Sequence, residues 1–345
     1  MRTAQIAATL PALFRARLPV YLSGPPGVGK TALVAQAAAT AGHHLIVSHP
    51  AVSESTDYKG LPWITDGRAT FVAYDDLRAL IDATEPTVFF LDDLPQAPVS
   101  VQAPIMQLLH ARRVGEHRVA DCVTFCAAGN RTQDRAGASR LIAPLRSRLA
   151  AWIDVETDLT DWVGWALSNG VHEHVIGYAC STPTLFDALQ GTATTATDDA
   201  QVSPRTLVAA SDILHLGLPD DVADELLVGA IGRKSGALLA AYISGSARLP
   251  RPSDVYLSPT TTPIPADPAG RHMLAQSLGA TVTADTLPAA LVYLARFNSA
   301  ENVVACMRRA TLLWGASPAR RATVERLTSS PAFVLWASEN SHVVF

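Results

Sequence analysis

Residues 24–31 read Gly24-Pro25-Pro26-Gly27-Val28-Gly29-Lys30-Thr31, which satisfies every fixed position of the spacing G-x-x-x-x-G-K-[ST]. The run follows the apolar stretch Val20 to Ser23, which reads as a strand, and opens a segment that reads as a helix. That context separates a phosphate loop from an ordinary Gly/Pro turn. Glycines let backbone N–H groups curl around phosphates, Lys30 would reach the β and γ phosphates, and Thr31 would ligate magnesium. The expected ligands are therefore ATP and Mg2+, with Gly24, Pro25, Pro26, Gly27, Val28, Gly29, Lys30 and Thr31 lining the nucleotide.

Working outward, short apolar runs alternate with helical patterns, the form of a parallel sheet covered by helices. The candidate strands are Val20 to Ser23, Leu45 to Ser48, Thr87 to Leu91, Val123 to Ala128 and Ala151 to Val155. Between the third and fourth, Val101, Ile105, Leu108 and Leu109 share one helical face and predict a helix packed on the sheet. Asp66-Gly67 stands between two strand-like runs and predicts a tight hairpin near Leu61 to Ala73. A weaker hairpin signal spans Arg113 to Val119.

The third strand ends in Asp92 and Asp93. Asp92 would hold the magnesium through water, and Asp93 would stand beside the attacking water. Aspartate is one methylene shorter than glutamate, so the reach of Asp93 decides how well it polarises that water. Asn130 ends the fourth strand, where its amide would orient water near the γ phosphate. Arg146 and Arg148 precede the fifth strand, where an arginine can project into a neighbouring subunit's nucleotide, and the bland reading is a pair of surface arginines. Arg205 follows Ser203, a ready helix cap, and would approach the γ phosphate from a helical lid.

The chain has 345 residues, enough for two or three domains. Fold class is expected to be α/β: a nucleotide-binding core over 1–156, a helical lid over 157–248, and a Pro-rich connector with a helical C-terminal extension over 249–345. The polar run 191–201 reads as a surface loop, and the Pro-rich run 249–270 as an extended connector. Hydrophobic residues make up 48% and charged residues 17%, a globular composition. The 27 basic and 31 acidic residues give a net charge of -4, which offers no global attraction to nucleic acid or anionic lipid. No stretch approaches the roughly 20 apolar residues that cross a bilayer, and Pro11, Arg15 and Arg17 interrupt the opening segment as no secretory signal would allow. A cytoplasmic location is the expectation. Cys122, Cys126, Cys180 and Cys306 form no C-x-x-C pair and read as buried free thiols. His172, His174, His43 and His44 read as capping or solvated groups, and Trp152, Trp162 and Trp165 as packing residues.

Taken together, GPPGVGKT, DYKGLPW, FFLDDLPQAP, AAGN, PLRSRL and SPRT resemble a MoxR-type AAA+ ATPase over residues 18 to about 245. The resemblance implies that Gly24 to Thr31 are the Walker A loop, Asp92 and Asp93 Walker B, Asn130 sensor 1, Arg148 the arginine finger and Arg205 sensor 2. Asp93 departs from the usual glutamate. It also implies a hexameric ring whose hairpin near Leu61 to Ala73 faces the pore or partner side. The implied role is that of a chaperone that remodels or activates a complex beside a von Willebrand factor A-type partner.

Two other readings stand beside an ATP-driven ring. One is a nucleotide-gated scaffold with slow turnover, because Asp93 replaces glutamate. The other is a DNA-acting AAA+ motor, which the acidic balance disfavours. A GTPase is disfavoured because Asn130-Arg131-Thr132-Gln133 lacks the Asn-Lys-x-Asp pattern, and a small-molecule kinase would need neither lid arginine nor fingers.

Overall fold

The computed structural model describes residues 1–65, 67–114, 117–131, 141–182, 184–186, 202–283 and 285–314, with positions 329, 334 and 338. The described residues divide into two compact units, one over Met1–Asp158 and one over those from Leu159 onward. The expected loop at 191–201 lies outside the described residues.

In the first unit, strands β1 (Val20–Ser23), β2 (His44–Ser48), β5 (Thr87–Leu91), β8 (Val123–Gly129) and β9 (Ala151–Asp154) form one parallel sheet. Their order is β2-β5-β8-β1-β9. Every residue of β1, β5 and β8 is buried, as a sheet covered on both faces requires. Successive side chains point to opposite faces. Tyr21, Phe89, Leu91, Phe125 and Ala127 accordingly pack with Leu77 and Leu80 of α3 (Asp75–Asp82) and with Val101, Ile105 and Leu108 of α4 (Val99–Ala111). Val20, Leu22, Val88, Phe90, Cys126 and Ala128 face the other way, onto Ile6, Leu10 and Phe14 of α1 (Thr3–Arg15) and Leu33, Val34 and Ala37 of α2 (Lys30–Ala41).

Both hairpins form. β3 (Leu61–Thr65) pairs antiparallel with β4 (Arg68–Val72), with Thr65 opposite Arg68 and Gly67 at φ 73°. That left-handed angle suits glycine in a tight hairpin. Trp63 and Ile64 are 65% and 73% exposed. The second pairs β6 (Arg113–Val114) with β7 (His117–Arg118).

The second unit is helical: α6 (Leu159–Ser168), α7 (Glu173–Ser181), α8 (Pro204–His215), α9 (Asp220–Ile231), α10 (Arg233–Ser246), α11 (Pro252–Leu257), α12 (Pro268–Thr281), α13 (Leu287–Ala295) and α14 (Ala300–Trp314). The short α5 (Ala143–Arg146) belongs to the first unit. Two apolar clusters hold the helices, one around Trp162, Val163, Ile176 and Leu207, the other around Leu274, Leu278, Leu291 and Cys306. The Pro-rich run differs from the extended connector expected of it. It contains α11, the Tyr293 hydroxyl donates to the Pro263 carbonyl at 2.6 Å, and Arg296 donates to the carbonyls of Pro259 and Thr262 at 2.6 and 2.9 Å. Prolines remove donors but leave carbonyls, and distant side chains on α13 and just after it saturate them.

Candidate nucleotide site

The phosphate loop joins β1 to α2 at the carboxyl-terminal edge of the sheet, where open parallel sheets bind ligands. Gly29 caps α2 at φ 91°, and a Cβ there would meet nothing within 4 Å. The position therefore needs glycine for its backbone angle and not for space. Lys30 is 7% exposed. Its ammonium donates to the carbonyls of Gly24 and Pro25 and to Asn130 Oδ1, each at 2.9 Å. A buried ammonium demands such partners, and the three acceptors aim it across the loop.

Asp92 leaves the end of β5, and its N–H donates to the Ser48 carbonyl at 2.9 Å. The Ser48 hydroxyl shares a 2.7 Å hydrogen bond with the Tyr58 hydroxyl, so the end of β2 is braced beside the acid. Thr31 Oγ1 donates to Asp92 Oδ2 at 2.6 Å, and Asp93 N–H donates to Asp92 Oδ1 at 3.0 Å. Asp93 itself sits in the left-handed region, at φ 53° and ψ 33°. Few non-glycine residues do so, and aspartate is one of those that tolerate it.

Asn130 follows Gly129, the last residue of β8. A Cβ at Gly129 would collide with the Pro95 ring and the Tyr21 hydroxyl, so glycine is what lets β8 lie close enough to bring Asn130 to Lys30. Tyr21 is a residue that sequence reasoning missed. Burial first, then the charges of Asp93 and Asp154, push its phenol well above the ordinary tyrosine range, which keeps it neutral beneath the acidic strand end. Trp152 stacks on Tyr21 at 4.1 Å between ring centroids, and the Arg146 guanidinium lies 4.4 Å from the centroid of Trp152. No local motif announces that stack, because it depends on β9 pairing with β1 so that Trp152 lies beside Tyr21.

The structure therefore brings together Lys30, Thr31, Asp92, Asp93 and Asn130. It does not bring Arg146 and Arg148 to them. The segment they occupy enters the sheet at its other edge, where the Ala150 N–H donates to the Pro19 carbonyl at 2.8 Å. β1 runs four residues from there to the phosphate loop, about 13 Å at the usual strand rise. Arg148 Nη1 donates to the Pro144 carbonyl at 2.6 Å, while Nε is buried with no partner. Arg205 lies in the second unit, exposed on the first turn of α8. There Ser203 Oγ accepts from Thr206 N–H at 3.2 Å and Thr206 Oγ1 accepts from Ser203 N–H at 2.8 Å, the expected capping box.

These residues fit a nucleotide with magnesium. The loop offers a buried cation and a helix amino terminus to phosphate, and Thr31 and Asp92 pair a hydroxyl with a carboxylate, the oxygen donors that magnesium takes. The described residues hold no group of three or more His, Cys, Asp or Glu placed for a metal.

Residues 19–149 match the family model described as AAA domain, dynein-related subfamily. Among solved structures the chain is similar to the RuvB Holliday junction branch migration motor of Thermotoga maritima, 17% identical over 85% of this chain and 86% of that one, with a TM-score of 0.40. A point mutant of the same RuvB gives 16% identity over 65% and 68%, with a TM-score of 0.41. NtrX from Brucella abortus in complex with ADP gives 16% over 94% and 67%, with a TM-score of 0.41. No curated protein matches the chain. The fold, a five-stranded parallel sheet of the AAA+ P-loop type with a helical C-terminal region, stands on the strand order and the phosphate loop of this chain itself.

Proposed function

We propose that this chain is a magnesium-dependent ATPase that works as an oligomeric, MoxR-like chaperone, with each site completed by an arginine from a neighbour. One observation carries the reading. Lys30 is hydrogen-bonded to Asn130 and the adjacent Thr31 to Asp92, while Arg146 and Arg148 precede β9 at the opposite edge of the sheet. An arginine set back from its own phosphate loop suits another subunit's nucleotide, as in trans-acting arginine fingers. Bound magnesium supplies charge neutralisation at the β and γ phosphates. In this reading Lys30 and the loop N–H groups bind the phosphates, and Thr31 and Asp92 hold the metal. Asp93 accepts the proton of the attacking water, Asn130 orients that water, and Arg205 closes from the lid. A hexameric ring and a von Willebrand factor A-type partner follow from the resemblance of the motifs, and a cytoplasmic location is the expectation from Pro11, Arg15 and Arg17 in the opening segment. No described helix is long and apolar enough to cross a membrane.

The test is magnesium-dependent ATP turnover across a protein concentration series, with Lys30→Ala as blank. Specific activity that rises with concentration supports shared sites, and activity that is flat while the protein stays monomeric overturns them.

A second reading, a nucleotide-gated scaffold with slow turnover, is favoured by Asp93, which is both short and held at φ 53°. Here hydrolysis acts as a timer. Asp93→Glu should then raise turnover, and an unchanged or lower rate would mean that the aspartate is already well placed.

A further inference from the structure

Away from the nucleotide cluster, the second unit contains a buried cation that forms no ion pair among the described residues. Arg309 on α14 is 5% exposed. Its Nη1 donates to the Ile176 carbonyl at 3.5 Å and contacts Cys180 Sγ on α7, and its Nε is buried with no hydrogen-bond partner. The ion pairs among the described residues do not include Arg309. Burial alone pulls its guanidinium down to about 10.

A buried charge needs a counter-charge. Of its two described hydrogen-bond contacts, the Ile176 carbonyl and the Cys180 sulfur, only the sulfur can become an anion. A cation beside a thiol favours the thiolate, which is the nucleophilic form. Access divides the four cysteines. Cys126 and Cys306 are buried, and burial pushes the Cys306 thiol up to about 12 and that of Cys126 higher. Cys122 and Cys180 are partly exposed, which departs from the buried thiols expected of the sequence, and Cys122 Sγ rests on the Ala83 carbonyl at 3.3 Å. Of the two, Cys180 touches a guanidinium, whereas Cys122 lies in the field of Arg112 with its thiol on the Ala83 carbonyl.

We propose that Cys180 is a modification site, a thiol held as its thiolate by the buried Arg309 and reactive toward small hydroperoxides. The thiolate attacks the terminal peroxide oxygen. An S–O bond forms as the O–O bond breaks, sulfur gives up two electrons, and the peroxide leaves as an alkoxide that takes a proton from water. The product is a sulfenic acid against Arg309.

The test labels the full chain with iodoacetamide from about pH 5 to about pH 10 and follows the Cys180 and Cys122 peptides by mass spectrometry, since thiolate content sets the rate. Labelling of Cys180 is expected to inflect at least about one pH unit below the ordinary thiol value of about 8.5, to outpace Cys122 near neutrality by about tenfold, and to move back up in Arg309→Gln. Hydroperoxide should then give a dimedone-trapped sulfenic acid at Cys180 in the wild type and less in the variant. A Cys180 inflection at or above that of Cys122, or one that Arg309→Gln leaves in place, overturns the proposal. Should Arg309→Gln fail to fold, the wild-type profile decides together with Arg309→Lys, which keeps the cation and is expected to keep the low inflection.

Discussion

The Lys30 ammonium and the Asn130 side-chain carbonyl lie 2.9 Å apart and join the phosphate loop to the end of β8 across 100 residues of sequence. Through this bond the residue that would grip phosphate and the residue that would orient water share one position. Asn130→Ala is expected to leave nucleotide affinity within a few fold and to lower turnover by about a hundredfold, the usual cost of removing one aligned polar group from such a site. Nucleotide titration and steady-state turnover on the same preparation separate the two. A loss confined to affinity would contradict the assignment.

Two glycines near that bond should fail differently. Gly29→Ala forces a side chain into φ 91° in open space, so it should cost about 1–2 kcal/mol of stability without displacing neighbours. Gly129→Ala drives a methyl into Pro95 and Tyr21, and overpacking of this kind costs typically about 1–3 kcal/mol. It should also move Asn130 from Lys30. Denaturant melts rank stability, and nucleotide binding reports the local damage. Equal effects on both readouts would show that the sterics at Gly129 relax.

The arginines at the far edge of the sheet permit a complementation experiment. Arg148→Ala is expected to retain ATP binding and to lose turnover by about a thousandfold, the lower range for trans arginine fingers. Mixed with inactive Lys30→Ala subunits, it should recover part of the activity, because one kind of interface then has an intact Lys30 and an intact Arg148. No recovery in mixed oligomers would place the arginine's role within its own subunit. Arg146→Ala, which gives up the face of Trp152, should cost about 0.5–1 kcal/mol of stability.

The second unit should lose stability on mild acidification. His172 packs 5.1 Å from both His174 and His215, measured between ring centroids. Burial, then the neighbouring His174 and His215, lowers the His172 pKa, and burial lowers that of His174, while Glu173 opposes both shifts. Protons therefore bind the unfolded chain more readily than the folded one. The stability tied to these rings is fully present above the unfolded value of about 6.5 and is lost as pH falls from there through the lowered folded values. Melting temperatures from about pH 8 to about pH 5 should drop below that point, and His174→Gln should flatten the curve. A curve that His174→Gln leaves unchanged would remove the cluster from the account.

Much of the first unit was legible in the sequence because its signals are local. The strand at Val20 to Ser23, the glycine spacing and Lys30 identify the phosphate loop, and the apolar run that ends at Asp92 identifies the neighbouring strand end. The hairpin followed from Asp66-Gly67, since its backbone angles select the residue. The run 249–270 misled, because proline content reports missing donors and is silent about distant side chains such as Tyr293 and Arg296 that bind its carbonyls.

By itself the sequence placed the expected phosphate loop, since the glycines and the lysine behind them are set by spacing along one loop. Only the tertiary structure decided which groups meet: Asn130 on Lys30, Tyr21 under Trp152, the three histidines, and Cys180 on Arg309. Those pairings depend on strand register and helix packing. Both arise from burying apolar surface over the whole unit, and no short stretch of residues carries that information.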